Sequence, residues 1–274
     1  MLATARSNGL NYTFPARDVV IGDALRKFGE YSQVEIDYLL KLCLAPKGHF
    51  VDVGANIGTI ALPFARQRSG WKISAYEAQR WICHLLAHNV IANGLLNIEP
   101  IHAAVGAETQ IVDFPMYELG AKGNFGEVGF FTTQNPPRER VRMVRLDDVA
   151  RDASLIKMDI QGFEPEALKG AGEVLRNIKP CWIAEADRND EAKARETIRI
   201  FLESAYAVYW LYVPFVTATA QKRASAEVSL VGDFNIVALP PGTDIDLDLP
   251  QLAAANDAFP AHRAKLAYLR RYGF

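Results

Sequence analysis

The run His49-Phe50-Val51-Asp52-Val53-Gly54-Ala55-Asn56-Ile57-Gly58 constrains this chain more than any other. An apolar strand meets a glycine-rich turn, and a helical pattern follows to about Arg68. Glycine reaches backbone conformations closed to most residues, so Gly54 and Gly58 let a buried strand turn directly into a helix. In open α/β sheets, ligands bind in the crevice beyond the carboxyl ends of the strands, where such a turn lies.

The same rhythm recurs. Lys72 to Tyr76 reads as a second strand and Arg80 to Ala92 as a second helix, ended by Asn93-Gly94. Ile98 to Val105 is a third strand, and Leu155 to Met158 a fourth with a helix after Gly162. Cys181 to Ala184 is a fifth, followed by a helix from about Glu191 to Ser204. This alternation predicts a Rossmann-like, doubly wound α/β sheet, mostly parallel, with helices on both faces. The strand-like runs Ala207 to Val213 and Asp233 to Leu239 predict an antiparallel C-terminal edge.

Three regions depart from the rhythm. Asn11 to Leu44 reads as an extended stretch and then a helix over about Val34 to Leu44, with Ser32 as N-cap and Pro46-Lys47-Gly48 as stop. Gln110 to Arg145 carries Gly120, Gly123, Gly126, Gly129 and Pro136-Pro137 between short apolar runs. It reads as a hairpin insertion whose loop is mobile and orders over an acceptor. Ala261 to Tyr272 reads as a basic amphipathic helix, with a contact to an anionic partner as the lesser reading.

Composition narrows the function. A net charge of −2 and a pI near 6.2 supply no basic field for a large nucleic acid. Met1 to Asn8 lacks the apolar core of a signal peptide, and the apolar stretch Tyr206 to Ala220 is broken by Pro214, short of the roughly 20 residues of a membrane span. Cys43, Cys83 and Cys181 have no paired spacing, which fits a reducing, cytoplasmic setting.

The turn also speaks to the ligand. Glu77 ends the second strand, where a carboxylate can accept bonds from two ribose hydroxyls; NAD-binding chains use an acid at similar spacing. A dinucleotide fingerprint beginning at Gly54 wants glycine at positions 56 and 59, which are Asn56 and Thr59 here. A side chain at 56 crowds the approach of a pyrophosphate. S-adenosylmethionine has no phosphate; its ammonium wants carbonyls and carboxylates, and its carboxylate wants backbone N–H groups. Asp52, Gly54, Asn56, Gly58 and Glu77, together with Ala104 on the third strand, are therefore the candidate cofactor contacts.

In order and spacing the chain resembles the FkbM-type methyltransferases, a class I S-adenosylmethionine-dependent group. The resemblance covers roughly Val20 to Glu185. It rests on Gly29-Glu30-Tyr31 with Glu35, on Asp52 through Gly58, and on Ala103-Ala104-Val105-Gly106. It continues through Leu146-Asp147-Asp148, Ile156-Lys157-Met158-Asp159-Ile160-Gln161-Gly162-Phe163-Glu164, Leu168-Lys169-Gly170-Ala171 and Glu185. The resemblance implies O-methylation of a hydroxyl on a sugar, polyketide or other small metabolite. Gln161 and Ala78 stand where the family usually has Glu and Pro. The first removes a carboxylate near the acceptor, which argues against a metal-dependent mechanism, and no metal ligands are assigned.

A hydroxyl is a weak nucleophile until its proton leaves, so a base is expected beside the acceptor. Asp159 and Glu185, at the ends of the fourth and fifth strands, are the candidate catalytic pair. Asp159 alternatively holds the cofactor ammonium, or simply caps the next helix. Asp147 and Asp148 read as caps of a short helix. Transfer to nitrogen in a base or peptide, and a non-catalytic cofactor-binding module, are the competing functions.

Other signals carry less. Asn135-Pro136-Pro137 lacks the flanking apolar strand and aromatic of a base-methylating motif, so it reads as a turn. His84 and His88 share a helix face without further ligands at metal spacing. Asp244, Asp246 and Asp248 lack the glycine and distal glutamate of a calcium loop. Trp81, Trp182 and Trp210 read as core or interface residues. The expected organisation is one methyltransferase domain over 1–274: a helical cap (1–47), a cofactor-binding core (48–205, insertion 110–145), and C-terminal strands and helix (206–274). The expected partner is a small-molecule or glycan acceptor bearing a hydroxyl, with homo-oligomerisation open.

Overall fold

The computed structural model describes the chain apart from residues 133–135 and the side chain at 264, so the Asn135 end of the Asn135-Pro136-Pro137 turn lies outside the described residues. The chain opens with an antiparallel hairpin, β1 (Leu2–Ser7) and β2 (Leu10–Pro15). The extended stretch expected from residue 11 is thus the second half of a hairpin, and the region 1–47 is more than a helical cap. Its turn is Asn8-Gly9, both at positive φ, which matches the twist of paired strands. Helix α1 (Ile21–Phe28) follows and ends on left-handed Gly29. Helix α2 (Gln33–Lys41) stops short of Leu44, and Ser32 holds its N-cap position at φ 50 without a side-chain cap bond.

The core then alternates as expected. It runs β3 (His49–Val53), α3 (Ala61–Gln67), β4 (Lys72–Glu77), α4 (Arg80–Ala92) and β5 (Ile98–His102). The predicted third strand splits, because β6 (Ala104–Val105) leaves the main sheet. It joins β7 (Gln110–Pro115) and β8 (Arg138–Val144) in a separate three-stranded sheet, β6-β8-β7. The insertion is thus an antiparallel hairpin, β7 against β8, stapled to the core through β6.

A short helix α5 (Leu146–Val149) leads to β9 (Leu155–Met158), α6 (Glu164–Lys169), β10 (Cys181–Glu185) and α7 (Glu191–Glu203). Asp147 does cap a helical segment, but a different one: its carboxylate accepts the N–H groups of Glu173 and Val174 at 2.8 and 3.0 Å. The chain finishes with β11 (Ala207–Pro214), α8 (Ala218–Arg223) and β12 (Gly232–Leu239). The predicted tail helix is instead two 3-10 turns, Arg263–Lys265 and Ala267–Tyr272, parted by extended Leu266. Docking overrides helical propensity there. Tyr268 is fully buried, and its hydroxyl exchanges hydrogen bonds with the backbone N–H and C=O of Tyr212 at 2.7 and 2.8 Å.

The main sheet has seven strands in the order β11-β12-β10-β9-β3-β4-β5. Pairs from β10 through β5 are parallel, while β12 runs against both β10 and β11. The reversed strand therefore sits one place in from the edge. One apolar cluster reaches from Leu10 to Leu269 and includes Trp182 and Trp210, whereas Trp81 stays partly exposed under Arg80. No helix among the described residues is long and apolar enough to cross a membrane. From β3 the chain winds outward to β4 and β5, then returns to β9 on the other flank of β3. This reversal opens a crevice between the ends of β3 and β9.

Candidate active site

A cavity of about 350 Å³ lies at that crevice, a size suited to a small organic ligand. Gly54 forms its floor at φ +79, and a Cβ there would stand 1.9 Å from the Asp159 carbonyl oxygen. No other residue fits. The first two turn amides are already used: Gly54 and Ala55 N–H both bind the Tyr76 carbonyl, at 3.0 and 2.9 Å. Asn56, at φ 48, donates its N–H to Glu77 Oε2 at 2.9 Å, and Gln79 N–H reaches Glu77 Oε1 at 2.8 Å. Each Glu77 oxygen thus carries one backbone donor and keeps capacity for another, which suits a ribose diol. Burial pushes the Glu77 carboxyl up to about 7, against the pull of those two amides.

Gly54, Asn56, Glu77 and Ala104 line the cavity; Asp52 and Gly58 do not. Gly58 serves the turn itself, since a Cβ there would meet Leu62 and Leu86 at 2.1 and 2.8 Å. Asp52 is fully buried beside Lys157, its register partner on β9. Lys157 Nζ lies 3.6 Å from Asp52, 3.7 Å from Asp159, and donates to the Gly54 carbonyl at 3.1 Å. Burial alone would lower the Lys157 ammonium, but Asp52 and Asp159 hold it above its ordinary value.

Asp159 and Glu185 both line the cavity and are joined through one side chain. Gln161, at φ 58, donates its side-chain amide to Asp159 Oδ1 at 2.8 Å and lies 3.3 and 3.2 Å from the two Glu185 oxygens. Asp159 does not cap α6; the N-cap residue there is Phe163, and Glu164 instead accepts the Ile160 N–H at 2.7 Å. Burial, with Asp159 and Glu164 nearby, pushes the Glu185 carboxyl well above the usual carboxylate range. Burial likewise lifts Glu164 to about 7.

Sequence reasoning missed the wall facing these carboxylates. Tyr31 and Glu35 reach the cavity from the N-terminal segment, and Phe215 and Asp233 from the C-terminal strands. Tyr31 and Phe215 stack with ring centroids 5.8 Å apart. A separate aromatic wall, Phe114, Phe130 and Phe163, closes the side near Ala104, with centroids of 4.9 and 4.3 Å between successive rings. Lys157, Tyr31 and Glu35 were visible inside the motif runs; Asp233 carried no signal.

The profile of the FkbM methyltransferase domain matches residues 52–209, more than half of the chain. Among solved structures, the chain is similar to an FkbM methyltransferase from Methylobacillus flagellatus KT, with 18% identity and a TM-score of 0.44 over 81% of this chain and 55% of that one. A precorrin-6y C5,15-methyltransferase from Geobacter metallireducens gives 14%, 0.49, 76% and 87% respectively. A SAM-dependent methyltransferase from Agrobacterium tumefaciens gives 11%, 0.48, 88% and 70%. No curated protein sequence matches. The matched span begins at Asp52, before the glycine turn, and runs past Glu185 into β11. It therefore contains the turn, Glu77, Lys157 and the Asp159–Gln161–Glu185 group, and the chain belongs to the FkbM family of methyltransferases.

Proposed function

We propose that this chain moves the methyl group of S-adenosylmethionine onto a hydroxyl oxygen of a sugar or other small metabolite, acting as a single catalytic domain. The observation that carries the reading is the pairing, across one cavity, of a diol-accepting Glu77 with the Asp159–Glu185 carboxylates. The residues present suit the cofactor. Gly54 leaves room beside the Asp159 carbonyl, Glu77 offers its remaining lone pairs to ribose, and the Phe114, Phe130 and Phe163 rings suit a planar base. Bound there, the cofactor supplies a methyl group on a sulfonium.

The chain's own residues do the rest. Lys157 and Gln161 fix the Asp159 carboxylate from two sides, which orients the catalytic edge of the cavity before any ligand arrives. Orientation of this kind is worth about 7–11 kcal/mol in favourable systems. Glu185, made more basic by its surroundings, is suited to take the hydroxyl proton as the oxygen attacks. Incubation with methyl-labelled cofactor and a panel of hydroxylated metabolites and glycans tests this. The expected product carries the label on oxygen; label found only on nitrogen or carbon would overturn it.

A further inference from the structure

We infer that the wall formed by Tyr31, Glu35, Phe215 and Asp233 is a subsite for an ammonium group, so that the methyl acceptor is a hydroxylated molecule bearing a positive charge, of the amino-sugar class. The inference rests on reading the crevice as the cofactor-and-acceptor cavity, and it adds what the acceptor must carry.

Two hydrogen bonds tie the N-terminal and C-terminal halves of the wall together. Ser32 N–H donates to the Phe215 carbonyl at 2.9 Å, and Glu30 Oε1 accepts the Thr217 N–H at 2.7 Å. Between these two bonds Tyr31 is pressed against Phe215, their planes only 21° apart, and both rings line the cavity. Aromatic faces attract cations through the ring quadrupole, and ammonium ligands are commonly held against them.

Glu35 supplies the second observation. It projects from α2 into the cavity lining and is only 5% exposed, yet its Oε1 has no hydrogen-bond partner among the described residues. A buried acceptor without a donor is costly, and a ligand N–H would satisfy it.

Charge points the same way. Lys157 is the single cation among the described lining residues, and it is engaged by Asp52 and Asp159. The cofactor adds one net positive charge, from an ammonium and a sulfonium less a carboxylate. Glu35, Glu185 and Asp233 are left facing the cavity without a cation of their own. Desolvation, with Asp159 adding repulsion and only Lys157 pulling Glu35 the other way, holds Glu35 up at about 8 and Asp233 at about 7, so these acids keep a proton near neutral pH until a cation displaces it. The cavity is short of positive charge, and a ligand ammonium makes up the deficit. A phosphate- or carboxylate-bearing acceptor would find no free cation among the described lining residues, since Lys157 is engaged by Asp52 and Asp159. All four residues lie outside the matched span 52–209, on the segments that flank the cofactor-binding core.

The test uses the full chain saturated with S-adenosylhomocysteine and titrated with choline or its uncharged isostere, in which carbon replaces the nitrogen. Choline should bind about tenfold or more tightly than the isostere, the weight of a cation–π contact with a charge-assisted partner. Glu35→Gln and Tyr31→Leu should each remove most of that preference and leave S-adenosylhomocysteine affinity unchanged; thermal melting confirms that each variant is folded, with Phe215→Leu as the substitute for either. Equal binding of the two probes, or a preference that survives all folded variants, overturns the inference. Loss of S-adenosylhomocysteine binding in Glu35→Gln also overturns it, because Glu35 would then serve the cofactor. A wild-type chain that binds no S-adenosylhomocysteine sinks the underlying reading as well, so the two failures are told apart.

Discussion

Asp52 and Lys157 face each other across adjacent parallel strands, 3.6 Å apart, and neither Asp52 oxygen has a hydrogen-bond partner among the described residues. The pair ties the centre of the sheet to the Asp159 side of the cavity, since the same ammonium reaches Asp159. Lys157→Met should destabilise the protein by about 3–5 kcal/mol by leaving Asp52 buried and uncompensated. Adding Asp52→Asn should restore most of the loss. Urea denaturation of the wild type and the two variants checks this, and a double variant no more stable than Lys157→Met would refute the pairing.

Glu77→Ala should weaken S-adenosylhomocysteine binding by about 1.5–3 kcal/mol, the value of hydrogen bonds to a charged group. It also frees the N–H groups of Asn56 and Gln79, so the turn is expected to loosen. Calorimetry reads the affinity; an unchanged dissociation constant means that Glu77 does not hold the ribose.

Asp159→Asn or Glu185→Gln should lower turnover about 10²-fold or more, the contribution of a general base. Both changes keep shape, so a cavity cannot explain the loss. If Asp159 instead holds the cofactor ammonium, its variant also raises the cofactor dissociation constant. Because Glu185 is held above the usual carboxylate range, kcat/KM should rise with pH through a limb displaced toward neutrality. A limb that stays in the ordinary carboxylate range, or one that persists unchanged in Glu185→Gln, would remove Glu185 as the base.

Stability should fall as pH rises from about 5 to 8. Glu35 and Glu77 sit at about 8 and about 7 in the folded chain against an ordinary 4.5. Between those values the native state keeps protons that the unfolded chain has released. The stabilisation is fully present below 4.5 and is lost as pH passes through the folded values. The slope is at most about 1.4 kcal/mol per pH unit for each group. Denaturant midpoints across this range should show the decline, and Glu35→Gln should flatten it. A flat or rising wild-type curve would contradict the burial of these acids.

Turnover should not need a divalent metal. The Gln161 amide stands between Asp159 and Glu185 and donates to both, occupying the place from which a cation would bridge them. Chelation should leave activity intact, whereas Gln161→Glu should gather three carboxylates and make activity respond to magnesium or calcium. Loss of wild-type activity on chelation, restored by metal, would show the amide reading to be wrong.

The sheet was legible because its signals are local: a five-residue apolar strand running into Gly54, or Arg80 to Ala92 bounded by Asn93-Gly94, announces itself. The opening hairpin carries a local signal of its own, the Asn8-Gly9 turn at positive φ between its two strands. The tail was not legible, because Tyr268 docks on Tyr212 and that contact is long-range. The site divides the same way. Glu77, Asp159 and Glu185 end strands, so their placement follows from the alternation. Lys157 reads as one more residue of an apolar strand until its neighbour across the sheet proves to be Asp52. Asp233 and Phe215 enter the cavity only through β12 and β11 crossing to it, which no spacing encodes.

The bond from Thr217 N–H to Glu30 Oε1 joins residues 187 positions apart. As the chain leaves the ribosome, everything from Gly54 to Glu185 has been made before Phe215 and Asp233 exist. Tyr31 must wait, through the synthesis of the whole central sheet, for the ring it stacks upon. The glycine turn and the strand-end acids are therefore made before the Tyr31–Phe215 wall can close, and on the proposed reading the part of the cavity that selects an acceptor is completed last, with the closing strands.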